Sequence, residues 1–115
     1  MIPRDVRIVL IKINSIIMKK ERFVYAIVDR HFYDDREKDN YECILRCYGT
    51  LKKALNHLKF WSELYESNMR SEGKLSDVRN YVRLDYSPND KLYTVLYVRE
   101  GAELHTVSIK EISLY

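Results

Sequence analysis

Tyrosine and arginine recur at every second position in two stretches towards the C-terminal end: Arg79, Tyr81 and Arg83, then Tyr93, Tyr97 and Arg99. Successive side chains of an extended chain point to opposite faces. Two strands joined through Ser87-Pro88-Asn89-Asp90 would therefore gather these groups on one face of a hairpin. Val78, Val82, Leu84, Leu92, Leu96 and Val98 would then point to the core. Tyrosine and arginine are enriched where proteins bind because they supply contact area and donors with few rotors to freeze. Two chemistries follow. On a nucleic-acid platform the rings stack bases while Arg79, Arg83, Lys91 and Arg99 follow phosphates. On a protein interface the same groups fill pockets of a partner. The plainer reading is cross-strand pairing that only stabilises a sheet.

The remaining reactive residues give weaker patterns. Cys43 and Cys47 share a face of an expected strand, but four extended residues separate them by roughly 13 Å, beyond disulfide reach, and no second pair completes a zinc site. They read as buried thiols. His31, His57 and His105 are scattered, and none has a carboxylate or cysteine at a spacing that builds a local dyad. The glycines Gly49, Gly73 and Gly101 are isolated, so no glycine-rich phosphate loop can form. Asp34, Asp35, Glu37 and Asp39 lack the spacing of a calcium loop. They predict a solvated acidic loop with nothing to anchor it, which could dock on a basic groove of a partner. No enzyme, metal or cofactor is expected from these patterns.

A chain of 115 residues with 46% apolar side chains has room for one core, so residues 1–115 read as a single domain. The formal charge of +3 is too mild to diagnose nucleic-acid binding by itself. Its distribution says more: residues 34–42 hold five acidic and two basic groups, while residues 43–71 hold five basic and two acidic. Two cysteines and no recognisable secretory leader point to a reducing compartment, and no apolar run reaches the roughly 18 residues of a membrane span. The expected location is the cytoplasm of a bacterial host cell.

The elements that must position these groups follow from periodicity. Residues 6–18 are rich in β-branched side chains and predict a strand, Lys19-Lys20-Glu21-Arg22 a connector, and residues 23–31 a second strand. Residues 41–48 predict a third, ended by Gly49. Thr50 is a good N-cap, and Leu51, Ala54, Leu55, Leu58, Trp61 and Tyr65 recur at helical spacing, with a Lys59/Glu63 pair on the wet face. The helix should end near Asn68. Lys52 and Lys53 in its first turn oppose the helix dipole, either as a tolerated surface choice or as an interaction site. Strands over residues 78–86, 91–99 and 104–114 complete an α+β fold, a mainly antiparallel sheet in the order β-β-β-α-β-β-β. One helix covers only one face of such a sheet, so the other is exposed, curls, or meets a partner, including a second copy in a homodimer.

The segment Phe23-Val-Tyr-Ala-Ile-Val-Asp-Arg30, the passage Tyr48-Gly-Thr-Leu-Lys-Lys-Ala-Leu-Asn-His-Leu58 and the ending Val107-Ser-Ile-Lys-Glu-Ile-Ser-Leu114 resemble short α+β accessory proteins of bacteriophages and other mobile elements. That resemblance implies a non-enzymatic role, inhibition of a host defence protein in the manner of anti-CRISPR proteins that occlude a nuclease or its nucleic-acid groove. The partner it implies is a host protein, with nucleic acid as the alternative.

Overall fold

The computed structural model describes residues 23–114, so the strand expected over residues 6–18 and the connector after it lie outside the described residues. Within that range the chain forms β1 (Phe23–Tyr33), β2 (Tyr41–Tyr48), α1 (Leu51–Ser71), β3 (Tyr81–Asp85), β4 (Val95–Glu100) and β5 (Glu103–Ser113). The five strands make one antiparallel sheet in the order β2-β1-β5-β4-β3. Its spine is the β1–β5 ladder, which runs in unbroken register from Phe23 opposite Ser113 to Tyr33 opposite Glu103. Ala26, Ile27, Val28 and Asp29 of this central strand are all buried.

Helix α1 lies across one face. Thr50 Oγ1 accepts from the Lys53 amide at 3.2 Å, satisfying one orphan donor of the first turn. Ala54, Leu58 and Met69 are buried against Ile27, Leu96, Val98, Val107 and Ile109, and Tyr25, Leu51, Leu55, Val82 and Leu84 pack at the margin. The helix runs one turn past the expected Asn68 because Met69 still reaches the core. Gly73, with φ +73°, then breaks it in the left-handed conformation that a side chain disfavours. Lys59 and Glu63 make no ion pair, whereas Arg70 reaches Glu66 at 2.6 Å.

Three expectations are corrected. The strand predicted over residues 78–86 is only Tyr81–Asp85: Val78 stands 94% exposed in the preceding turn instead of in the core, and Arg79 is in that turn with it. The strand predicted over residues 91–99 begins at Val95, because Lys91–Tyr93 close into a single 3-10 turn whose Thr94 is buried, with the Ser87 amide donating to its hydroxyl. Finally, Cys43 and Cys47 are exposed and do not share a face. Ile27 pairs with Arg46 but Val28 with Ile44, which leaves Leu45 as the extra residue of a β-bulge. The bulge turns Cys43, opposite Asp29, towards the helix side and Cys47, opposite Ala26, away from it.

Candidate functional site

The sheet face away from the helix keeps part of the predicted Tyr/Arg array. Tyr81 pairs with Arg99 and Arg83 with Tyr97 across β3 and β4, which places these four side chains on one face. Arg83 lies over both neighbouring rings, 4.7 Å from the Tyr97 centroid and 5.7 Å from that of Tyr81, and is ion-paired to Asp85. Arg99 is pulled aside to Asp34 at 2.7 Å and is only 20% exposed. The array is therefore not a free row of cations.

Other members leave the array. Arg79 is locked to Asp77 by its backbone amide and its guanidinium, and those bonds draw the Asp77 carboxyl down to about 2. Tyr93 is an exposed ring of the 3-10 turn, and Lys91 lines a cleft against α1. The acidic loop is tied at its first residue, contrary to expectation. Asp34 holds Arg99 and its amide donates to Ala102 O, while Asp35 and Asp39 share Arg36, and Glu37–Asp39 form a 3-10 turn.

A second surface emerges on the outer side of α1. Its N-terminal half presents Lys52, Asn56 and Lys59 along one flank and Lys53, His57 and Phe60 along the other, at the three-and-four spacing of a helix. On the first flank, Lys52, Asn56 and Lys59 meet Leu84, Tyr86 and Lys91 in a cleft of about 250 Å³. On the second, Lys53, Asn56, His57, Phe60 and Trp61 meet Arg46 and Tyr48 in a cleft of about 480 Å³. Phe60 is 59% and Tyr86 52% exposed.

The charges sort by location. Arg30, Arg36, Arg70, Lys74, Arg79, Arg83 and Arg99 are all ion-paired. Among the described residues the cations without an ionic partner are Arg46, Lys52, Lys53, Lys59 and Lys91 around these two clefts, with only Lys38 and Lys110 elsewhere. His57 adds no charge at neutral pH, because burial and then the nearby Arg46 lower its pKa. Its Nδ1 shares a hydrogen bond of 2.7 Å with the Tyr48 hydroxyl. The sequence signal for this surface was the lysine pair in the first helical turn, which costs stability unless something uses it.

A third cluster joins histidines that looked unrelated. Asp29 and His31 project from β1 to the helix side, and the β1–β5 register sets His105 directly across from His31. His31 Nε2 meets Asp29 Oδ2 at 2.9 Å and its Nδ1 meets Glu103 Oε1 at 2.7 Å. Tyr41 stacks on the His31 ring at 4.4 Å, and Tyr65 of α1 sets its ring at right angles to His105 at 5.1 Å. Burial opposes a charge on His31, but the hydrogen bonds to Asp29 and Glu103 outweigh it and raise its pKa. Burial dominates at His105 and lowers it. A small cavity of about 70 Å³, lined by Val98, Glu100, Glu103 and His105, adjoins the group. No local spacing could reveal this cluster, since residues 29 and 105 meet only through strand pairing. His57 lines the cleft with Arg46 and Trp61, and neither Cys47 nor Asp85 lines it.

No protein-family model, curated protein or solved structure matches the chain.

Proposed function

We propose that this chain is a small non-enzymatic binding protein that holds single-stranded nucleic acid on the outer surface of α1. The observation that carries this reading is the segregation of charge among the described residues: most other cations there are neutralised by carboxylates, while Arg46, Lys52, Lys53, Lys59 and Lys91 stand without an ionic partner around exposed rings. Such a groove suits a strand whose phosphates follow the cations while its bases stack on Phe60, Trp61 and Tyr86. The aromatic component distinguishes this from a merely soluble lysine face.

Fluorescence anisotropy with labelled single-stranded oligonucleotides across a salt series tests it. The logarithm of the binding constant should fall linearly with the logarithm of salt, by about 0.7 per phosphate contact, so a slope of about −2 to −3.5 is expected for three to five contacts. Lys52→Glu with Lys59→Glu should flatten that slope, and Phe60→Ala should weaken binding by about 1–3 kcal/mol. Absence of binding at low salt would remove the proposal.

The second reading is a protein partner, as in an inhibitor of a host defence nuclease, and the Tyr81–Arg83–Tyr97 stack favours it. A planar guanidinium already held between two rings loses little freedom on docking. Under that reading Arg83→Ala abolishes capture of the host protein and leaves oligonucleotide binding unchanged.

A further inference from the structure

We infer that Asp29, His31 and His105 form a binding site for a single divalent transition-metal ion, zinc foremost, with Glu103 orienting His31 from behind. The site is distinct from the surface of α1 and does not depend on it.

Unsatisfied buried atoms carry the argument. Asp29 and His105 are each only 8% exposed. Yet Asp29 Oδ1 and both ring nitrogens of His105 have no hydrogen-bond partner. A buried polar group left this way is costly, and native chains seldom keep three together without a ligand. Two of the three face one another: His105 Nδ1 lies 3.6 Å from Asp29 Oδ1, too far for a hydrogen bond. An ion about 2.1 Å from both would see them at an angle of roughly 120°, close to the value that zinc coordination favours. His31 completes the set, since one donor atom from each of the three residues lies within 4.8 Å of the others. Ring rotations moving each nitrogen by about 1 Å bring that spread to tetrahedral dimensions.

The rest of the site agrees with such an ion. Glu103 Oε1 at 2.7 Å from His31 Nδ1 provides the carboxylate–imidazole contact that fixes the tautomer of a metal-bound histidine, leaving Nε2 to face inwards. Two imidazoles and one carboxylate select zinc-like ions over calcium or magnesium, which need oxygen cages. Three protein ligands leave one coordination position open, and the small cavity beside Glu103 and His105 gives it access to water.

Titration of chelator-treated protein with Zn²⁺ by calorimetry, with Co²⁺ as spectroscopic stand-in, decides the matter. Expected are one equivalent bound with a Kd of about 10 μM or tighter, and a Tm rise of about 10 °C at a free-metal concentration about 100-fold above Kd. Co²⁺ should give visible bands of a nitrogen–oxygen site with no near-ultraviolet thiolate band. His105→Gln and Asp29→Asn should each weaken binding at least about 100-fold, and Glu103→Gln about 10–100-fold. Cys43→Ser with Cys47→Ser, and His57→Gln, should leave it unchanged. Glu103 is partly exposed, so its variant carries the test if the buried substitutions fail to fold. No saturable binding below about 100 μM, a thiolate band, or insensitivity to Glu103→Gln and His105→Gln would overturn the site.

Discussion

His57 illustrates how one residue reports its surroundings. Its ring is tilted 5.9 Å from Trp61 and edge-on to Tyr48 at 5.6 Å, its Nδ1 is bonded to a hydroxyl, and its buried Nε2 has no partner. Burial and Arg46 therefore hold the folded ring neutral below the ordinary value of 6.5. As pH falls the unfolded chain takes up this proton first. The contribution of His57 to stability is thus complete above about pH 6.5 and declines as pH drops from there towards the lowered folded value. Urea unfolding of the wild type and of His57→Gln from pH 8 to pH 5 should show their stability difference shifting in favour of the variant as the medium becomes acidic. A difference independent of pH would mean that the ring is solvated.

Among the elements, α1 has two jobs that its residues divide by face. Leu58 is fully buried against the sheet while Lys59 and Phe60, its immediate neighbours, look outwards. Leu58→Ala should therefore cost about 2–5 kcal/mol in chemical denaturation. Lys59→Ala should change stability by less than about 0.5 kcal/mol while weakening oligonucleotide binding. Thr50→Ala, which removes the cap, should cost about 1 kcal/mol and fray the end that carries Lys52 and Lys53. Equal losses at Leu58 and Lys59 would show that the helix is not divided in this way.

For the molecule as a whole, the eleven-residue ladder between β1 and β5 ties the first described strand to the last. Amides at the centre of a sheet open only in the largest, most costly unfolding events. Amide exchange should be slowest at Ala26, Ile27, Val107 and Ile109, and much faster along β3, a five-residue strand at the edge of the described sheet. Uniform protection across the strands would contradict a centre built on this ladder. The same ladder holds Asp29, His31 and His105 in register, so zinc should slow exchange in β1 and β5 together.

What the amino-acid order determined alone was local: the amphipathic helix after Thr50, the strands of β1, β2 and β5, and the alternation that sets Tyr81, Arg83, Tyr97 and Arg99 on one face. Each of these depends on periodicity within a few turns or pleats. Tertiary structure decided which charges remain free. Arg99 looked like a ligand for a partner until Asp34, 65 positions away, closed on it, whereas Lys52, Lys53 and Lys59 meet no carboxylate among the described residues. It also decided the fate of the histidines and cysteines. A single bulged residue, Leu45, separates Cys43 from Cys47, and pairing across more than seventy positions sets His31 beside His105, because strand register is fixed by burial of whole faces and not by neighbours in the chain.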